Sequence, residues 1–317
     1  MRVLVTGATG FIGRSAVAVL AERGWEVHAV ARSLGIPQCG HFYSVDLMDP
    51  GAVRSLLREV APSHLLHLAW YAEPGKFWTA AENLDWVAAS LFLYRAFLEA
   101  GGQRAVFAGS CAEYDWSYSE LDEARTPVNP RTLYGRAKNA LRELVESYAQ
   151  SIGAELAWGR IFFLYGPGEA PNRLVSDLIR ALAEGRPASC THGRQQRDFM
   201  HVSDVARAFA TVLKSRFCGP INIASGVCRP IADAIEIVGR LLGRPELIRL
   251  GAREAQPDEP SRLTADVKLL SGLGFRPVFD LETGLAQTVA TAGFGPHHSN
   301  EILRHHLSVA VDRSSTD

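Results

Sequence analysis

The stretch RVLVTGATGFIG, residues 2–13, decides how the rest of the chain is read. Its first half, RVLVT, has the length and β-branched content of a buried strand. Gly7, Gly10 and Gly13 follow with GxxGxxG spacing, and FIGRSAVAVLAERG then carries a helical apolar pattern. Glycines at such a junction permit a tight turn and let backbone N–H groups approach an anion, whose charge the helix N-terminus favours. The same turn can be purely structural. Its place at the head of the first strand-turn-helix unit predicts a dinucleotide site formed by Gly7, Thr9, Gly10, Phe11, Ile12 and Gly13.

Further along, EVHAVA, FYSVD, HLLHLA and RAVFAG are short apolar runs, and helical patterns fall at about residues 11–23, 50–60 and 79–100. Strands alternating with helices predict a parallel sheet covered on both faces. AELAWGRIFFLYGP reads as one further strand. The pattern then becomes less regular until VSDVARAFATVLK and PINIA return to helix and strand. The expected fold is α/β, a doubly wound parallel sheet with a smaller C-terminal domain. The two are interleaved: 1–165 with about 200–227, and about 166–199 with 228–295. Residues 296–317 read as a loosely packed tail, with metal binding by His297, His298, His305 and His306 as the alternative.

With 317 residues, 47% of them hydrophobic, the chain can bury a large core. A net charge of −1 offers no basic face to nucleic acid or an anionic membrane, which leaves small molecules as the expected partners. No run approaches the roughly eighteen apolar residues of a spanning helix. The glycine-broken N-terminus lacks a leader's cleavage pattern. Cys39, Cys111, Cys190, Cys218 and Cys228 show no paired spacing, so neither a disulfide framework nor a metal site is expected, and a reduced cytoplasmic setting fits.

A dinucleotide site that prefers NAD usually carries an acid at the end of the second strand, on the ribose 2′-hydroxyl. None occurs between Glu26 and Asp46. The strand runs instead into Arg32 and Ser33, a cation and a hydroxyl suited to a 2′-phosphate, which favours NADP(H) with NAD(H) as the alternative. Asp46, ending the next strand, is placed for the adenine amino group or for capping the helix near Pro50.

Tyr134 and Lys138 lie four apart in TLYGRAKNALRELVESYAQ and share a helix face. A phenol titrates near ~10 in water, and an adjacent ammonium with a cationic nicotinamide favours phenolate, bringing it towards acid/base range. Ser110 ends an apolar run at the sheet edge where open parallel sheets bind ligands. There it can hydrogen-bond the oxygen that Tyr134 protonates.

Together with DL at Asp46–Leu47, HLAW at His67–Trp70, Asn83, YGP at Tyr165–Pro167 and RDFMHVSDVARA at Arg197–Ala208, these motifs resemble the extended short-chain dehydrogenase/reductase family of nucleotide-sugar epimerases, dehydratases and reductases. The resemblance covers nearly the whole chain. It implies a Rossmann domain for the nicotinamide cofactor and a smaller domain closing over a nucleotide-diphospho-sugar. It makes Tyr134 the acid/base, Lys138 the ligand of the nicotinamide ribose and Ser110 the group that orients the sugar. It adds Leu47, Leu68, Ala69, Trp70 and Ile161 to the cofactor contacts, and implies a homodimer through helices at about 79–100 and 132–150.

Dehydratases of that family carry two acids immediately after the catalytic hydroxyl. Here those places hold Cys111 and Ala112, which argues against 4,6-dehydration. Reduction of a keto sugar and epimerisation with retained cofactor remain, and Arg32 with Ser33 favours the reductase, in the manner of the 4-keto-6-deoxy-sugar reductases that are CDP-abequose synthase-like. A non-catalytic NADP sensor is the third reading, against which the intact Ser110, Tyr134 and Lys138 count. Substrate contacts are expected from Cys111, Glu113, Asn172, Arg197, Arg253 and Asp258. Glu113 has the alternative of satisfying a loop backbone group, and the arginines that of forming salt bridges. The chain departs from its family at Trp70, where Ala is common, and at Phe163 or Leu164, where Asn is.

Overall fold

The computed structural model describes residues 1–32, 40–255, 257 and 259–293. Strand β1 (Arg2–Thr6) leads through the glycine turn into helix α1 (Phe11–Glu22), followed by β2 (Glu26–Ala31), β3 (His41–Ser44), α2 (Pro50–Val60), β4 (His64–His67), α3 (Glu82–Glu99) and β5 (Arg104–Ser110). Next come β6 (Glu120–Leu121), α4 (Leu133–Ile152), β7 (Glu155–Ile161), β8 (Phe163–Tyr165), α5 (Leu174–Ala183), β9 (Ala188–Ser189) and β10 (Gln196–His201). The described chain closes with α6 (Val202–Lys214), β11 (Gly219–Ile223), β12 (Cys228–Pro230), α7 (Ile231–Leu241), β13 (Ile248–Arg249), β14 (Arg262–Ala265), α8 (Lys268–Gly272) and α9 (Leu281–Thr291).

Seven strands pair in parallel in the order β11-β7-β5-β4-β1-β2-β3, the doubly wound sheet expected from the alternating pattern. Alternate strand residues point to opposite faces. Val3, Val5, Val27 and Leu66 pack with α1 and α6 on one face, while Leu4, Val30, Phe107 and Trp158 pack with α2, α3 and α4 on the other. Strand order reverses between β1 and β4, so the carboxyl ends of these two strands open a crevice.

AELAWGRIFFLYGP is two strands rather than one. It divides at Phe162: β7 stays in the main sheet, and β8 pairs with β10 in a second sheet that also holds β12, β14 and β6. Phe162 donates its N–H to Ile223 O and buries its ring with Tyr114, Leu121 and Leu263. Apolar periodicity does not reveal the change of sheet, because both halves are largely covered. Helices α5, α7 and α9 enclose a separate core around Tyr165, Leu178, Ile235 and Leu285. Among the described residues no helix is long and apolar enough to cross a membrane.

Candidate active site

Gly7 has φ 67°, in the left-handed region that favours glycine, and a Cβ there would lie 2.8 Å from Ala69 N. At Gly13 a Cβ would lie 2.1 Å from Gly7 O, so α1 packs on the turn only without a side chain. Gly10 opens α1 with no side-chain cap, which leaves first-turn N–H groups at Phe11, Ile12 and Gly13 for an anion. The Thr9 carbonyl accepts from Arg14 Nε at 2.8 Å. A glycine cradle of this kind fits a dinucleotide pyrophosphate. Across the crevice, Thr6 Oγ1 lies 2.7 Å from His67 Nδ1 and Ser90 Oγ 2.8 Å from His67 Nε2, all buried. Burial, reinforced by the charge of Lys138, pushes the His67 ring down to about 3, so it joins β1, β4 and α3 as a neutral group.

Arg32, Asp46, Leu47 and Trp70 line one cavity of about 920 Å³ beside the ends of β2, β3 and β4. Arg32 is exposed and, among the described residues, has no ion pair. Ser33 lies outside the described residues. The cap of α2 is Asp49, which accepts from Gly51 and Ala52 N–H; Asp46 accepts from Met48 N–H in the preceding turn, which corrects its capping alternative. Leu68 and Ala69 border the glycine turn through Gly7.

Ser110, Tyr134 and Lys138 meet at the carboxyl end of β5. The Ser110 hydroxyl accepts from Ala112 N–H at 3.2 Å and neighbours the Tyr134 phenol. Burial raises the phenol above its ordinary value, and the neighbouring Ser110 hydroxyl opposes that rise. Lys138 Nζ donates to Ala108 O at 2.8 Å and stands 3.7 Å from the Trp70 ring centroid. Burial pulls its ammonium down to about 7, against the attraction of Glu113. Ile161 pairs across the sheet with Ser110.

Three neighbours of Tyr134 were not anticipated. Phe77 and Trp78 present edges to its ring at 4.9 and 5.8 Å, and Arg173, at the start of α5, stands 5.3 Å from the Phe77 ring and favours the phenolate. The run of aromatics between Trp70 and Trp86 was the available signal; nothing near Arg173 marked it.

Glu113 is fully buried, accepts from Ser110 N at 2.8 Å and from Trp158 Nε1 at 2.9 Å, and pairs with Arg160 Nε at 2.8 Å. The expected substrate contact is therefore corrected to its alternative: the carboxylate anchors the Ser110 backbone. Cys111, only 6% exposed, packs with Tyr114 and Phe162 rather than facing a ligand, and burial pushes its thiol up to about 12. Arg197 is buried against Glu259, 2.7 Å away, and lies 5.2 Å from the Phe163 ring, which is the salt-bridge alternative. Asn172 is an exposed turn residue with φ 64° whose N–H reaches Asp177 Oδ1, and the Arg253 N–H reaches Cys190 O. Among the described residues neither bonds to the Ser110, Tyr134 and Lys138 group. Asp258 and the histidines of the tail lie outside the described residues.

The profile of the NAD dependent epimerase/dehydratase family matches residues 3–224. In sequence the chain is 28% identical over 245 residues to dTDP-6-deoxy-L-talose 4-dehydrogenase (NAD(+)) of Aggregatibacter actinomycetemcomitans, covering 74% of this chain and 88% of that protein. In structure it is similar to UDP-glucose 4-epimerase of Thermus thermophilus in complex with NAD, at 28% identity and a TM-score of 0.80 over 92% of this chain and 98% of that one. It is equally similar to MoeE5 in complex with UDP-glucose and NAD, at 32% identity and a TM-score of 0.80, with the same coverage of 92% and 98%.

Proposed function

This chain belongs to the NAD dependent epimerase/dehydratase family, and we propose that within it the protein is an NADPH-dependent reductase of a nucleotide-linked 4-keto-6-deoxy sugar. The observation that carries the reading is the convergence of the Ser110 hydroxyl, the Tyr134 phenol and the Lys138 ammonium at the carboxyl end of β5, with Lys138 one turn beyond Tyr134 on α4 and donating to Ala108 O of that strand. When bound, a nicotinamide supplies the hydride. Tyr134 gives its proton to the carbonyl oxygen as negative charge develops there, and Ser110 hydrogen-bonds the same oxygen. Lys138 holds the nicotinamide ribose, and its charge favours the phenolate left on Tyr134.

Cys111 and Ala112 offer no acid for elimination, and the nearby carboxylate of Glu113 is taken up by Arg160 and Ser110 N. That supports reduction or epimerisation over dehydration. Charge matching at the exposed Arg32 supports NADP(H). The similar talose dehydrogenase is named for chemistry at C4 of a nucleotide-linked 6-deoxy sugar, which supports that substrate class. Trp116, 6.2 Å from Trp78, extends the aromatic wall beside Tyr134 and suits an apolar sugar edge. Residues 166–199 and 228–295 would close over the nucleotide-sugar, with Arg173 directed to its diphosphate. A cytoplasmic homodimer through α3 and α4, where Leu84, Leu144 and Tyr148 are exposed, completes the reading.

Epimerisation with retained cofactor is the second reading, favoured by the likeness to UDP-glucose 4-epimerase. A panel of 4-keto-6-deoxy nucleotide-sugars assayed with NADPH and NADH separates the two. Reduction predicts stoichiometric loss of NADPH absorbance, abolished by Tyr134→Phe. Turnover without net loss of cofactor overturns the reductase.

A further inference from the structure

Lys138 is 4% exposed, and its ammonium makes one hydrogen bond among the described residues, to Ala108 O. An ammonium carries three donors, and burial strips most of its hydration from it. Four groups face it. His67, at the end of β4, is neutral; Glu113, beyond β5, is already paired with Arg160; Tyr134 lies one turn earlier on α4; and the Trp70 indole stands 3.7 Å away, face on. The ring face attracts a cation, more strongly where both are desolvated.

Trp70 is held in that orientation. Its Nε1 donates to Asn83 Oδ1 at 2.9 Å, and fully buried Asn83 donates its amide to Phe77 O and Ala80 O, each at 2.8 Å. Asn83 thus uses its carbonyl and its amide nitrogen to fix both the ring and the segment that follows it. The ring also borders the cavity shared with Arg32, Asp46 and Leu47, so one indole joins the cofactor cleft to the lysine.

We propose that Trp70 is a positioning residue that holds the Lys138 ammonium charged and aimed into the cofactor cleft. The catalytic consequence rests on the reductase reading; the contact itself does not.

Trp70→Leu keeps apolar bulk but removes the ring face, and Trp70→Phe keeps a weaker one. The chain has four lysines, Lys76, Lys138, Lys214 and Lys268, so the ε-carbon resonances of isotopically labelled lysine are assignable in the intact protein. The titration midpoint of Lys138 falls by about one pH unit in Trp70→Leu and by less in Trp70→Phe. The alkaline limb of the pH–rate profile moves down with it, while KM for the nucleotide-sugar is unchanged. An unchanged Lys138 midpoint in folded Trp70→Leu overturns the proposal. Where that variant does not fold, Trp70→Phe decides in the same way. The titration is read without turnover, so it stands or falls separately from the reductase reading, which net consumption of NADPH with a 4-keto-6-deoxy nucleotide-sugar tests.

Discussion

Replacing Glu113 with alanine removes a carboxylate that Arg160, Trp158 and Ser110 share. Arg160 is 1% exposed, its Nη1 already has no hydrogen-bond partner, and without Glu113 its guanidinium keeps the Tyr114 ring, 4.3 Å away, as its nearest favourable contact. Breaking a buried ion pair by removing one partner costs about 3–5 kcal/mol. Each orphaned N–H, on Ser110 and on the Trp158 ring, adds about 1–3 kcal/mol, although losses within one network do not sum. A loss of about 4–6 kcal/mol follows. Urea melts followed by tryptophan fluorescence and by far-UV circular dichroism measure it. The double variant Glu113→Gln with Arg160→Met removes both charges and recovers most of the loss, because an uncompensated buried cation is the largest part of it. In Glu113→Ala, kcat also falls more than KM changes, since the Ser110 backbone has lost its anchor. A loss below about 1 kcal/mol, or no recovery in the double variant, refutes the reasoning.

Lys138→Met stabilises the cofactor-free protein at pH 7 by several kcal/mol. The ammonium is pulled down to about 7 in the fold against ~10.4 in the unfolded chain, so folding releases its proton across that window and stability of the native lysine protein rises with pH there. Urea melts therefore show the gain from methionine shrinking towards pH ~10; a pH-independent gain contradicts it. Gly13→Ala drives a Cβ against Gly7 O and abolishes NADPH binding in a fluorescence titration; native affinity would remove the glycine turn from the cofactor site. Arg32→Asp raises KM for NADPH about tenfold or more, through loss of a charge-assisted hydrogen bond of about 1.5–3 kcal/mol, with little change for NADH. An equal effect on both cofactors places Arg32 away from the 2′-phosphate.

What the sequence discloses here is what short-range patterns encode. The glycine turn is a contiguous motif, Tyr134 and Lys138 are related by helix geometry alone, and alternation of strand and helix is enough for the parallel sheet. The misreadings have one physical origin, partners distant along the chain. The direction of Glu113 depends on Arg160, which the β5-β7 register sets opposite Gly109. Arg197 is neutralised by Glu259, and the break at Phe162 depends on β10 and β11. Arg173 reaches the Tyr134 wall only because α5 begins beside Phe77.

The central claim is that hydride leaves the protein on the sugar. NADPH deuterated at the transferring position, incubated with a 4-keto-6-deoxy nucleotide-sugar, measures it directly by mass spectrometry and NMR of the sugar. Reduction by the Ser110, Tyr134 and Lys138 site predicts one deuterium at C4 of the product for each NADPH consumed. Sugar turnover with the label retained on the cofactor, and no net NADPH consumed, contradicts the account.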